Sequence, residues 1–563
     1  MAAVEVTATR RPAVLDDAHV GDIRGALGTI RADDLGARPT LSGKMKTLLA
    51  VVGPGLIVMV GDNDAGAFST YGQAGQDYGT RLLWTLLLLI PVLYVNQEMV
   101  LRLGAVTGVG HARLILARFG KFWGAFSVID LFILNALTIV TEFIGITLAA
   151  GYLGLPKAVA VAGAAAVIIA SAFTGSFRRF ERIAITFCAG SLLLIPLYLM
   201  THPAAGEMAR GFTVPGLPGG SGQMATVMLL VIGIVGTTVA PWQLFFQQSY
   251  VIDKRITPRF MRYEKTDLWI GIVIVIVGAA AVMGATAAAF AGTHAAGNFT
   301  DSAGLAHGIA LYAGHAAGAV FAVALLDASI IGAFAVSLSS AYAIGDVLGL
   351  NHSLHRGVGQ AKGFYAVYAA LIGGAATIVL IPGSPLGLIT EGVQVLAGVL
   401  LPSATVFLLL LCNDREVLGP WVNGRKTNAF TSAVIAVLII LSVVLTASVL
   451  FPAITTGQII AIFAGCGAVS AVVCTCMLAR RRGAAEAAFA GAFDGALGGA
   501  FDGELGGAPG EADRDMWRMP PLAELGAPVV SRTRKLGLTA LRGYLAIAMI
   551  LVIVKIVMMA VAH

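Results

Sequence analysis

The chain runs to 563 residues, of which 57% are hydrophobic and only 12% charged, with a mean hydropathy of +0.85 and a net charge of +6. A soluble domain carries about 25% charged residues, so this chain cannot cover a water-facing globule of its length, and lipid is its main solvent. Nucleic acid is excluded as a partner, and the positive charge reports the orientation of loops rather than an acidic ligand.

Residues 1–45 carry Arg10, Arg11, Asp16, Asp17, Asp33 and Asp34 with no continuous apolar core of a signal peptide. They read as a cytoplasmic disordered tail. Apolar runs long enough to span, at about 20 residues each, follow at 46–78, 82–102, 122–152, 156–174, 183–201, 223–250, 267–292, 308–348, 364–382, 386–412, 428–451, 456–479 and 537–561. The run 308–348 exceeds one span and is expected to continue beyond the bilayer. Residues 46–412 form one transport core, with 46–201 and 223–412 as its halves; 428–479 adds further spans, and 537–561, despite Lys555, is an expected extra C-terminal span.

With the N-terminus cytoplasmic, the inner loops gather twenty Lys and Arg, including Arg178, Arg179, Arg182, Lys254, Arg255 and Arg259, against three outside at Arg81, Lys157 and Arg210. A miscounted helix would scramble that asymmetry. Residues 480–535 then read as a Gly-rich cytoplasmic linker. Ala492-Phe-Asp-Gly-Ala-Leu-Gly-Gly499 is followed by the near copy Ala500-Phe-Asp-Gly-Glu-Leu-Gly-Gly507, a composition that builds no packed core. Cys188, Cys412, Cys466, Cys474 and Cys476 lie in or beside apolar segments and imply no disulfide framework. Cys474-Thr475-Cys476 has no His or acidic companions and reads as packing.

Two spans are interrupted, the first and the sixth. Gly61 and Gly66 flank Asp62, Asn63 and Asp64; Gly236-Thr-Thr-Val-Ala-Pro241 sets a proline at mid-membrane depth. Breaks in the first helix of each five-helix half point to an inverted repeat, since an odd number of helices turns the second half upside down. The C-terminal ends and bare carbonyls of half-helices favour a cation. An acid at that depth costs about 2.5–3.5 kcal/mol, and no Lys or Arg lies between 47 and 80 or within span six. A bound cation is the simplest counter-charge for Asp62 and Asp64. The plainer alternative is that one acid merely caps the outer half-helix, a role that suits Asp62 better than Asp64. Asp130, Asn135, Glu142, Asp327, Glu391 and Gln394 are the other polar residues placed inside spans, while His111, His294, His307, His315, His352 and His355 fall near loops, where solvated imidazoles are the default.

Gly53-Pro54-Gly55, Gln73-Ala74-Gly75, Arg102-Leu-Gly-Ala-Val-Thr-Gly108, Ala240-Pro241, Gln394 and Leu401-Pro402 together resemble the Nramp family of divalent metal transporters over residues 45–450. The resemblance implies an all-α polytopic membrane protein of the LeuT-type 5+5 inverted repeat, with discontinuous helices 1 and 6 and two or three extra C-terminal transmembrane helices. The family's first-helix motif, Asp-Pro-Gly-Asn, registers on Asp64-Ala65-Gly66-Ala67, whether counted forward from Gly53 or back from Gln73. The sixth-helix Met-Pro-His registers on Ala240-Pro241-Trp242, and Gln394 matches a tenth-helix glutamine. By that register Asp64, the Gly61 and Thr237 carbonyls and Gln394 hold the metal, with Asp62 as an auxiliary. Ala67, Ala240, Trp242 and Glu142 line the path.

The departures have consequences. A thioether favours softer metals, and replacing Met and Asn by Ala leaves a roomier site of oxygen donors. Mg²⁺ keeps several waters and takes one or two carboxylates, so the expected cargo is Mg²⁺, with Mn²⁺ accepted, as in the Nramp-related magnesium branch. The family's proton relay registers on Ile139, Glu142, Trp242 and Gln247, and span nine lacks a basic residue; transport without protons is the expectation. A proton-coupled Mn²⁺/Fe²⁺ importer is one alternative. A symporter of organic solutes on the same fold is another, disfavoured for anions by the two acids. A membrane enzyme would need a nucleophile–base pair that is missing from the pattern. No cofactor beyond the carried ion is expected; the partners are lipid and divalent cations, a monomer suffices for the fold, and the low Cys and Gly/Ala-rich composition suit a bacterial inner membrane.

Overall fold

Lipid leaves a chain only helices or closed barrels with which to satisfy its backbone, and these apolar runs fold as helices. The computed structural model describes residues 17–34, 36–218, 224–381, 386–451, 454–455, 457–469, 514–515 and 517–526, with five isolated positions from 539 to 554. The α-helices are α1 (Leu41–Val51), α2 (Pro54–Val60), α3 (Ala65–Tyr78), α4 (Trp84–Thr107), α5 (His111–Phe119), α6 (Lys121–Tyr152), α7 (Lys157–Ala172), α8 (Phe177–Cys188), α9 (Leu194–Thr201), α10 (Ala205–Thr213), α11 (Met224–Thr238), α12 (Pro241–Asp253), α13 (Met261–Phe290), α14 (Ser302–Ala313), α15 (His315–Leu348), α16 (Lys362–Val379), α17 (Leu386–Leu411), α18 (Arg415–Leu418) and α19 (Arg425–Leu450). Among the described residues nine helices are long and apolar enough to cross a membrane, or ten if a bent pair at the N-terminal end counts as one span. Leu88, Ile129, Ile195, Leu199, Val273 and Val277 stand exposed on these helices, as side chains facing lipid do. The chain is a multi-pass membrane protein.

The two halves pack in exchanged pairs. Span one (α2 and α3) lies on α13 of span seven, while α12 of span six lies on α4 of span two. The long helices of spans three and eight, α6 and α15, pack against each other, and α2 against α8 is answered by α11 against α17. Each contact has its counterpart with the halves swapped, the signature of an inverted repeat.

The first break comes in two steps. α1 and α2 meet at 54° across Val52 and Gly53. Gly53 has φ 152°, and a Cβ there would run into Glu181 Oε1 and Lys254 Nζ, so only glycine fits. The chain then leaves helix again between α2 and α3. Span six is interrupted only at Val239-Ala240.

Several expectations need correction. The 308–348 run is two helices, parted at Gly314 with φ 100°, and α14 packs back against α15. α15 itself has 34 residues, about 51 Å of helix, so it does outrun a bilayer core of about 30 Å. The tail 1–45 is not disordered over its described part: Ile23–Arg24 pairs with Thr29–Ile30 in a small hairpin, with Ala18, Ile23, Ala26 and Ile30 buried. The reason is a set of charged side chains, within α8 and just past α12, that bond its backbone. The linker 480–535 is likewise seated where it is described. Trp421 Nε1 donates to Arg514 C=O at 2.9 Å, and Arg118 donates to Gly526 C=O at 2.7 Å. Residues 457–469 are helical; the rest of the expected span 456–479, the repeat at 492–507 and nearly all of 537–561 lie outside the described residues.

Candidate cation site at the helix breaks

The break between α2 and α3 is held open by side chains. In a continuous helix Ala65 N–H would donate to Gly61 C=O; here it donates to Glu142 Oε2 on α6 at 3.1 Å, which withdraws that donor from the Gly61 carbonyl. Span six reaches the same result differently. Pro241 has no N–H to offer Thr237 C=O, its partner four residues back. Two carbonyls, Gly61 and Thr237, thus lose their helical donors at the two breaks, as the register of the sequence anticipates.

The two aspartates take different roles from those expected. Asp64 is the N-cap of α3, its Oδ1 accepting from Ala67 N at 2.8 Å. The capping role assigned more readily to Asp62 belongs to Asp64, because Asp64 directly precedes α3 and Asp62 lies two residues farther back, beyond reach of the first free amides. Asp62 instead turns to span six: its Oδ1 accepts from Gln243 Nε2, while Oδ2 has no hydrogen-bond partner. Gln243 is itself oriented by α4, since Gln97 Nε2 donates to Gln243 Oε1 at 2.8 Å. Tyr71 on α3 shares a 2.6 Å hydrogen bond with Thr238 and ties the outer half-helix of span one to the break in span six.

Gln394 comes to the same place. A Cβ on Gly66 would overlap the Gln394 amide, so the glycine after Asp64-Ala65 is what lets span ten close over the start of α3. Gln394 Nε2, Glu142 Oε1 and Thr237 Oγ1 are buried without a hydrogen-bond partner among the described residues. Unpartnered buried polar atoms cost free energy, and these three belong to residues on or packed against the two breaks.

The roomy site expected from Ala67 and Ala240 is not present. Asp62 is 0% exposed and Asp64 3%. The Trp242 ring packs beside Gly61, near 3.6 Å from where a Cβ would stand, and its carbonyl accepts from Ser339. The Gln243 amide closes on Asp62 from span six, and Ala67 and Ala240 are themselves buried. A narrow cleft lined by Ala65, Ser69, Thr141, Gly145, Asp301 and Thr390 approaches Asp64 from one side.

The opposite side, where the Lys- and Arg-rich loops gather, is shut. Lys254 Nζ donates to Glu181 Oε1 at 2.6 Å and to Val52 C=O at 2.7 Å, all three fully interior or nearly so. Asp267 Oδ2 accepts from Gly53 N at 3.1 Å and Gly55 N at 2.7 Å, capping α2.

Among the other polar residues, two groups can be placed. Asn135 donates to Ser340 at 2.9 Å and joins α6 to α15. Of the histidines, His294, His307 and His315 are exposed, as expected near loops, but His111 is fully buried against Gln248. Three participants escaped the sequence reading: Gln243, Gln97 and Tyr71. The signal for Gln243 was the polar density of span six, which also holds Gln247 and Gln248; Gln97 on α4 and Tyr71 on α3 carried none.

Residues 55–448 match the family model described as natural resistance-associated macrophage protein-like, or Nramp. A protein of Chromohalobacter salexigens named divalent metal cation transporter MntH is 27% identical over 430 residues, covering 72% of this chain and 94% of that relative. Its namesake in Klebsiella pneumoniae is 24% identical over 417 residues, covering 70% and 94%. The crystal structure of the Eremococcus coleocola manganese transporter, in complex with an aromatic bis-isothiourea substituted compound, superposes with a TM-score of 0.60 at 18% identity, over 78% of this chain and 95% of that one. At that identity the likeness speaks for the fold. With the family model spanning most of the chain and the exchanged helix pairs in place, this protein belongs to the Nramp family.

Proposed function

We propose that this protein moves divalent metal cations across the membrane by alternating access, with Mg²⁺ the favoured cargo and Mn²⁺ accepted. The observation that carries the reading is the meeting of Asp62, Asp64, the Gly61 and Thr237 carbonyls and Gln394 at two helix breaks that contain no basic side chain. The oxygen donors are hard, and no thioether or imidazole stands among these residues. Oxygen-only donor sets suit Mg²⁺ and Mn²⁺ over softer metals. The relatives named as divalent metal cation transporters support the cargo class. The Lys- and Arg-rich face is assigned to the cytoplasm. Membrane potential contributes about 2.3 kcal/mol per charge per 100 mV, so a divalent ion gains roughly 4.6 kcal/mol, about three decades of accumulation without protons.

One observation favours a second reading. Glu142 reaches the backbone beside Asp64, and Gly332 of α15 lies against both residues. Two buried acids in contact are compatible with each other only when a proton or a cation lies between them, which is the arrangement that a proton-coupled Mn²⁺/Fe²⁺ importer would use. Uptake into proteoliposomes carrying an internal pH dye separates the two. Metal uptake with constant internal pH, and with Mg²⁺ competing against Mn²⁺, is expected. Acidification in step with uptake would replace the first reading by the second.

A further inference from the structure

The segment that precedes the first helix does something neither the family fold nor the cation site requires. Residues 17–34 lie across the closed, basic face. Ala26 is held from both sides by α8: its N–H donates to Glu181 Oε2 at 2.5 Å, and its carbonyl accepts from Arg182 Nε at 3.1 Å. Farther along, Arg255, just past the end of α12, donates to Ala18 C=O at 2.9 and 2.8 Å and to Asp22 C=O at 3.1 Å. Arg255 adopts φ 67° to do so, a left-handed backbone that a residue with a Cβ takes only at some cost. Arg259 then donates to Asp34 and Gly36 C=O at 2.7 and 2.8 Å. His19 stands 4.0 Å from the Asp253 carboxylate, its ring 5.7 Å from that of His352 in the α15–α16 loop. Gly25 and Gly28 lie directly on Ala50 of α1.

The anchors lie within α8, near the end of α1, just past α12 and in the loop after α15, and they belong to both halves of the molecule. α1 and α8 come from the first repeat; the ends of α12 and α15 come from the second. Alternating access in an inverted repeat moves one bundle against another about the central site. A segment fixed to elements of both halves must leave at least one of them before this face can part. It covers the Lys254–Glu181–Val52 closure as well: a Cβ on Gly25 would meet Ala50 C=O and stand 3.3 Å from Lys254 Nζ.

We propose that residues 17–34 are a strap that locks the cytoplasmic mouth shut and whose release limits the rate at which the site opens inward. The proposal rests on the transport reading for its kinetic consequence and on the anchors alone for its conformational one. Two variants loosen the strap without touching the cation site. Arg255→Gly removes three donors and is relaxed at φ 67°. Gly25→Val places a side chain where Ala50 leaves no room.

The test measures both variants and the parent chain, reconstituted at full length, for Mn²⁺ uptake and for deuterium exchange of the amides of residues 41–60. Loosening the strap by as little as one net hydrogen bond should shift the closed–open balance so that uptake rises at least about fivefold at unchanged KM, with faster exchange through α1 and α2. Unaltered exchange in both variants would overturn the strap as a lock. Faster exchange with an unaltered uptake rate would overturn it as the rate-limiting step. Faster exchange in variants, with no uptake by any of the three proteins, would sustain the lock and discard the transport reading.

Discussion

Asp64 does two jobs that substitutions can separate. Its Oδ1 caps α3 through Ala67 N, and its charge faces the helix breaks. Asn caps as well as Asp does, so Asp64→Asn should keep the melting temperature of the purified protein and lose transport. Asp64→Ala should lose transport and also about 1 kcal/mol of stability. Equal melting temperatures for the two variants would show that the cap contributes nothing. Asp62 has a different dependence. Gln243 is its hydrogen-bonding side chain among the described residues, and Gln97 fixes which end of that amide points inward. Gln243→Leu leaves a buried carboxylate oxygen bare, at a cost of about 1–3 kcal/mol, and should lower both the melting temperature and metal affinity. Unchanged affinity would remove Asp62 from the site.

At the scale of elements, the proline of span six is the feature that makes a carbonyl available. Pro241→Ala restores an N–H directed at Thr237 C=O. Pro241 stands at the first position of α12, where proline is tolerated, so the variant should match the parent in melting temperature and be the poorer transporter. Loss of even a supporting partner costs roughly 10–100-fold in metal affinity or activity. Full activity in Pro241→Ala would take the Thr237 carbonyl out of the coordination set.

The loop after α15 carries a pH dependence of its own. Burial works to lower the pKa of His352, but Asp346, whose carboxylate lies 3.0 Å from Nε2, and then the Leu350 carbonyl and Asp253 outweigh it and hold the imidazole up at about 9. A folded pKa above the ordinary 6.5 means that protonation stabilises the fold. The contribution is complete below 6.5 and fades as pH rises through about 9. Thermal melts of the parent should therefore decline over that window, and His352→Gln should flatten the decline. Parallel curves would rule the pair out as a source of stability.

For the whole molecule, the inverted repeat was legible because three independent patterns agreed: the span count, the Lys/Arg asymmetry, and breaks one half apart. Asp64 was legible because spacings from Gly53 and from Gln73 converge on it. Gln243 was not, because a glutamine one residue past an aromatic in an apolar span carries no periodic signal; its role depends on the rotation that brings α12 against α4. The occupied volume beside Gly61 was hidden for a related reason. Counting Ala67 and Ala240 as lost ligands predicts space, while the Trp242 indole, two residues past Ala240, packs beside Gly61. The docking of residues 17–34 rests on backbone bonds to Glu181, Arg182, Arg255 and Arg259, and backbone acceptors leave no trace in side-chain patterning.

The proposed function depends on the charge of Asp64 at the break of the first span. Divalent-metal uptake into proteoliposomes held at an inside-negative potential, comparing the parent with Asp64→Asn, addresses that directly. Saturable accumulation of Mg²⁺ and Mn²⁺ by the parent, and none above empty vesicles for Asp64→Asn at an equal melting temperature, is the expected result. Equal uptake by the two proteins would contradict the assignment of the cation site to the broken first helix.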